Sequence, residues 1–176
     1  MYTVNLEKAR KALPAAAVKD FDDIVEQRVL GASKHIQMIG KMIEQIAVDS
    51  VETNRTIAEM LERIQEACQF FIHTRGEASQ AITNAVYLMT AGYRQHEERD
   101  IRTYAQRIID VKKQYEWDCT AASETAVSYA VEIGNRMSAI MVYDYSSSVE
   151  AFLRKINGPK RIYIPESRVI NGGAPF

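Results

Sequence analysis

Between Met137 and Arg168 the chain reads MSAIMVYDYSSSVEAFLRKINGPKRIYIPESR, and few folds accommodate that pattern. Ala139 to Tyr143 (AIMVY) is a short apolar run in which Ile140, Val142 and Tyr143 favour strand, as a buried parallel strand requires. Asp144-Tyr145-Ser146-Ser147-Ser148 then opens a helix with Val149, Phe152, Leu153 and Ile156 on its apolar face. Asn157-Gly158-Pro159 stops it, with Gly and Pro where a helix C-terminus places them. Arg161 to Ile164 (RIYI) forms a second strand. Strand, helix, strand in this order predicts a parallel βαβ unit with a right-handed crossover. In such sheets ligands lie beyond the carboxyl ends of the strands, here Asp144 to Ser148 and Glu166 to Arg168.

Upstream, the periodicity is helical from Lys19 to about Gly134. Phe21, Ile24 and Val25 share one side of a short first helix. Gly31-Ala32-Ser33 interrupts it, and Ser33 is read as the cap of a helix carrying Ile36, Ile39, Ile43 and Ile46. Asp49 to Thr53 is the next break. Ile57, Leu61, Ile64, Cys68 and Phe71 make the clearest amphipathic stripe, which puts the Cys68 thiol in the core. His73 to Glu77 breaks the chain again, before a helix of small and apolar residues from Ala78 to Met89. A charged helix with a thin apolar stripe spans His96 to Tyr115, and another runs from about Thr120 to Ile133. The HEE string at His96 is not a zinc motif, because no second His follows four residues on.

The expected architecture is a helical N-terminal subdomain over residues 1–135, of five or six helices. The first βαβ unit of a Rossmann-like α/β domain follows over 136–176. Two parallel strands cannot make a stable doubly wound sheet, so the chain is read as the front part of a longer protein or a truncated product, the alternative being a complete small protein with a two-stranded sheet against helices. Two cysteines without CxxC spacing exclude a disulfide framework. The N-terminus lacks a secretory pattern, and no apolar run approaches the roughly 18 residues of a membrane span. A cytoplasmic protein without membrane contact is expected. A net charge of -1, and no basic cluster interleaved with aromatics, argue against direct nucleic-acid binding.

The order of elements and their residues resemble a known family. It unites the alpha, beta and delta subunits of translation initiation factor 2B with ribose-1,5-bisphosphate isomerase and methylthioribose-1-phosphate isomerase. The match is strongest in IMVYDYSSSVEAFLRKI followed by RIYIPESR. TRGEASQAITNAV, from Thr74 to Val86, is similar to the isomerases' Arg-Pro-Thr-Ala-Val segment. Leu30-Gly31-Ala32 stands at the place of an Arg-Gly-Ala turn. The resemblance implies that Arg75 contacts substrate and that Gly31 and Ala32 offer backbone to a phosphate. It implies a phosphate cradle at Tyr145, Ser146, Ser147 and Ser148, with Arg168 facing it. Unpaired N–H groups and the helix dipole favour an anion there. Ser147 and Glu150 also have the spacing of a capping box, which needs no ligand.

The departures from the family bear on chemistry. Asp144 stands at the isomerases' catalytic cysteine, and Tyr143 replaces the histidine before it. Leu30 replaces an arginine that would grip phosphate bidentately. Val169 replaces a proline, and Gly172 stands where glutamine is frequent. The resemblance therefore implies a regulatory protein binding a phosphorylated sugar or nucleotide, working as a homodimer or higher homo-oligomer, with no cofactor and no metal. The alternative is an aldose-ketose isomerase on a phosphorylated pentose with Asp144 as base, since burial raises a carboxylate's pKa toward neutrality. A structural or assembly module is the third reading.

Overall fold

In the computed structural model the described residues are 2–93, 99–143 and 146–165. They form eight helices and a parallel two-stranded sheet, in the order α1 (Leu6–Lys11), α2 (Ala15–Val25), α3 (Ala32–Glu52), α4 (Ile57–Ile72), α5 (Arg75–Ala78), α6 (Gln80–Met89), α7 (Ile101–Asn135), β1 (Ala139–Met141), α8 (Ser147–Lys155) and β2 (Arg161–Tyr163). Two compact units result, Met1–Glu116 and Trp117–Phe176. The division falls inside α7, upstream of the 135/136 boundary read from the sequence.

The first unit is a helical core. α3 packs against α2, α4 and α6, while α1 lies on α4. Phe21, Phe70 and Phe71 meet at its centre, with ring centroids 5.1 to 5.5 Å apart. Such tilted and edge-on aromatic contacts add to the area they bury. Ile39, Ile43 and Ile46 of α3 are fully buried, as their three- and four-residue spacing requires. Gly40 lets the neighbours close in, because a β-carbon there would come within 3.1 Å of Met89 Sδ and 3.3 Å of Lys112 Cε. The Lys112 ammonium is itself buried and pairs with Glu44 of α3 at 2.9 Å and with Glu116 at 3.0 Å. Burial disfavours that charge, but the two carboxylates outweigh it and hold the pKa above the ordinary lysine value.

Several boundaries differ from the sequence reading for local reasons. α3 runs through Asp49 to Glu52, and the chain turns only at Thr53–Arg55, where Asn54 takes φ 51°. α4 begins with a full capping box. Thr56 Oγ1 accepts from the Glu59 backbone at 3.2 Å, and the Glu59 carboxylate accepts from the Thr56 N–H at 2.7 Å. The two helices expected between His96 and Ile133 are one helix of 35 residues over their described part. Glu116 to Cys119 contains neither Gly nor Pro, so nothing stops helix propagation there. α1 was not anticipated; Asn5 caps it by accepting from the Lys8 N–H at 2.9 Å.

In the second unit, β1 and β2 pair in parallel, Ala139 opposite Arg161, Ile140 opposite Ile162 and Met141 opposite Tyr163. The sequence places β1 in a buried setting, and the structure corrects this. Ala139, Met141 and all of β2 are exposed, and Val142, just past β1, is the buried residue. α8 meets α7 at Gly134, where a β-carbon would approach the Phe152 ring to 2.6 Å. Asn135 Oδ1 accepts from the Asn157 N–H at 2.8 Å, and Lys160 Nζ donates to the carbonyls of Asn135 and Met137. Those bonds hold the loop after α8 to the end of α7.

Candidate functional site

The sequence-selected residues fall into one group in each unit. In the first unit they gather around the loop between α2 and α3. α2 ends at Val25, Gln27 takes φ 57° and Gly31 takes φ 94°. A residue with a β-carbon is strained at such a φ, so glycine at 31 follows from the turn. Gly31 is the N-cap of α3 and makes no side-chain capping bond, having no side chain to do so. Helical geometry begins at Ala32, so Ser33 is the second residue of the helix and not its cap. No acidic residue stands in the first turn of α3. Leu30 is strongly exposed.

Arg75 opens α5, inside what the sequence reads as a plain break. Its Nη2 donates to the carbonyls of Ile24, at 2.7 Å, and Val25, at 2.9 Å. The guanidinium therefore covers the C-terminal end of α2, where the helix carries a partial negative charge and where the Ile24 carbonyl also accepts from the Gln27 N–H at 3.2 Å. Gly76 beside it is buried, and a β-carbon there would fall 2.3 Å from Thr83 Oγ1 of α6. Gly31, Ala32 and Arg75 thus all bear on one connection, from the end of α2 to the start of α3.

His35, which sequence reasoning passed over, belongs to the same connection. It is buried, and its Nε2 donates to the Val29 carbonyl at 2.8 Å. A carbonyl can only accept, so the ring carries a proton on Nε2. Arg28 extends the strapping, with its guanidinium donating to Asp23 and Glu26. A histidine one turn into a helix that follows a glycine turn was the available signal.

In the second unit, Ser146 is extended, with φ -148° and ψ 135°, and is the N-cap of α8. Its side chain makes no capping bond, and Ser147 and Ser148 form the exposed first turn. The capping box read from Ser147 and Glu150 is not formed. Ser147 is already helical, and the Glu150 carboxylate accepts from Arg154 Nη2 at 2.7 Å, one turn on. Asp144, Tyr145 and Arg168 lie outside the described residues, as do Glu166, His96, Val169 and Gly172.

The nucleophilic and metal-binding possibilities are few. Cys68 is buried and its thiol is pushed up to about 12 by that burial, so it is not a thiolate at neutral pH. Among the described residues no group of three or more His, Cys, Asp or Glu is arranged to hold a metal ion. Among the same residues no helix is long and apolar enough to cross a membrane.

The structure defines a mostly helical protein with a small parallel strand–helix–strand unit near its C-terminal end. Compared with protein-family models, with curated proteins and with solved structures, the chain finds no match in any of them.

Proposed function

We propose that this chain binds a phosphorylated sugar or nucleotide, in the manner of the initiation factor 2B alpha-type regulatory subunits that its sequence resembles. In this proposal it is a cytoplasmic, oligomeric binding protein without the cysteine-dependent isomerase chemistry. One observation carries the reading. Both segments that the resemblance assigns to phosphate, Gly31-Ala32 and Ser146 to Ser148, are helix N-termini whose N-cap residue makes no side-chain capping bond among the described residues. Helix N-termini direct N–H groups and a partial positive charge outward, which suits a phosphate. α3 has 21 residues and α8 has nine, so each is long enough to develop that end charge.

The isomerase alternative rests on the sequence position of Asp144 alone, so the binding reading is preferred. Thermal unfolding tests it, with ribose 5-phosphate, ribose 1,5-bisphosphate, adenosine monophosphate, inorganic phosphate and unphosphorylated ribose as additions. Binding to the native state raises the midpoint, by about 2.7 kcal/mol of stability at a hundredfold excess over Kd. A rise with the phosphorylated compounds and none with ribose is expected. No rise with any of them removes the proposal.

A further inference from the structure

Leu61, Ile64, Cys68 and Ile72 succeed one another at three and four residues along α4, so they share one side of that helix. α6 packs against α4, and between them, lined also by Val86 and Tyr87, lies a cleft of about 350 Å³. The turn after α6 closes it with Thr90, Gly92 and Tyr93. Gly92 takes φ 75°, which disfavours a side chain, and the next residue, Tyr93, is under cover. Ile64, Cys68, Val86 and Tyr93 line the cleft while buried, whereas Tyr87 is 57% exposed and marks its mouth.

An unfilled apolar volume costs stability, because its walls lack contact partners on one side. A ligand restores those contacts. This volume lies near the lower end of the range that holds small molecules. A helix, about 10 Å across, is too wide for it.

The walls define the ligand's chemistry. None of the eleven residues lining the cleft is acidic or basic. Burial pushes the Cys68 thiol up to about 12 and raises the Tyr93 phenol as well, so both stay neutral at physiological pH. An ion entering here would lose hydration and meet no opposite charge. Thr90 Oγ1 has spent its proton on the Val86 carbonyl, at 2.8 Å, so it has only lone pairs to offer. The Tyr93 hydroxyl is likewise turned inward, donating to the Ile108 carbonyl at 3.4 Å. The wall therefore asks for a donor. Two tyrosines among apolar side chains favour an aromatic ring as its carrier.

We infer that the α4–α6 cleft is a binding site for a neutral aromatic molecule with one hydrogen-bond donor, of the phenol or indole type. The ring packs against Ile64, Val86 and Tyr87, and its O–H or N–H donates to Thr90 Oγ1. The inference goes beyond the phosphate reading and does not rest on it, because no residue of the cleft belongs to the α2–α3 connection or to α8.

Isothermal titration calorimetry of the full chain with p-cresol, toluene and benzoate tests it. One saturable site for p-cresol is expected, with weaker binding of toluene and none of benzoate. Leu61→Trp places an indole in the cleft and should abolish the p-cresol site. Thr90→Val keeps the shape and removes the acceptor, which should weaken p-cresol by about two- to tenfold, the worth of one hydrogen bond, and leave toluene unchanged. Tyr87→Ala alters an exposed position and removes one wall without disturbing the core, so it should weaken both rings. Far-UV circular dichroism checks that each variant is folded. Absence of a saturable p-cresol site overturns the inference. So does benzoate binding as tightly as p-cresol, or a p-cresol affinity that is unchanged in folded Leu61→Trp, Thr90→Val or Tyr87→Ala.

Discussion

Arg75 Nη2 and the carbonyl of Ile24 are bonded at 2.7 Å across 51 residues of sequence, which ties the start of α5 to the end of α2. The same nitrogen reaches Val25, so one planar group covers the helix end. A lysine ammonium is a point donor on a flexible stem and does not reproduce that geometry. Arg75→Lys is expected to cost about 1 kcal/mol and Arg75→Ala about 1.5–3 kcal/mol, the usual range for hydrogen bonds to charged groups. Urea unfolding reads this as a lower midpoint at unchanged slope.

At the start of α8, one substitution has opposite effects on stability and on ligand. Ser147→Asp puts a carboxylate in the first helical turn, which stabilises a helix N-terminus by about 0.3–1 kcal/mol. It also places negative charge where the proposed phosphate sits. The variant is expected to melt slightly higher without ligand and to lose any midpoint rise given by ribose 5-phosphate. If it retains the full rise, phosphate does not bind at this turn.

The cysteines separate by accessibility. Cys68 is buried with its pKa pushed up to about 12, and Cys119 is exposed. A chromogenic disulfide reagent at neutral pH should titrate one thiol quickly, with the second appearing only at the unfolding rate. Cys119→Ser should abolish the fast phase and leave the slow one. Two fast thiols would contradict the burial of α4's inner face.

Acid sensitivity should centre on α2. Lys19, 2.6 Å away, and then Arg28 hold the Asp23 carboxyl below its ordinary value, and Arg10 does the same for Asp22. A carboxyl depressed in the folded state contributes stability above its unfolded pKa, near 3.9, and loses it as pH falls through the folded value. The melting temperature should therefore be nearly flat from pH 7 to 5, as far as these groups control it, and fall below about pH 4. Asp23→Asn should lower the neutral-pH midpoint and flatten the acid limb.

Gly134 sets two effects against each other. Alanine gains about 1 kcal/mol of helix propensity in α7, but its β-carbon meets the Phe152 ring at 2.6 Å, and such overpacking costs about 1–3 kcal/mol. Gly134→Ala should be neutral to destabilising, and Phe152→Leu in the same chain should convert it to a gain. The double-mutant cycle by chemical denaturation measures the coupling.

Much of the fold was legible wherever burial follows a simple period. The stripe from Ile57 to Phe71 became α4 with Cys68 inside, and the order from Ala139 to Ile164 became a parallel strand–helix–strand unit. Gly31 was legible as part of a break and Ser146 as part of a helix entrance, but the cap was read two residues late at Ser33 and the capping box one residue late at Ser147. The continuity of α7 was not legible, because a drop in apolar density between Tyr115 and Thr120 looks like a loop although nothing there breaks a helix. The Arg75 and His35 contacts were hidden for another reason. Their acceptors are backbone carbonyls, which leave no mark in a sequence. The exposure of Met141 and Tyr163 was equally invisible, since a short apolar run predicts a buried strand whether or not a second layer exists.

Lys112 has a further consequence for how α7 sits in the helical unit. An apolar line that repeats every three or four residues is nearly self-similar, so a helix can slide by one turn, about 5.4 Å, and still bury grease against grease. The lysine is the one misfit in that line, and its partner Glu44 belongs to a different helix. Sliding in either direction leaves a buried ammonium with only Glu116, its travelling companion, to answer it, so the loss of Glu44 is not made good by the helix's own residues. Lys112 therefore works as an index pin: the greasy residues supply the adhesion, and this single charge decides where along the groove the helix stops.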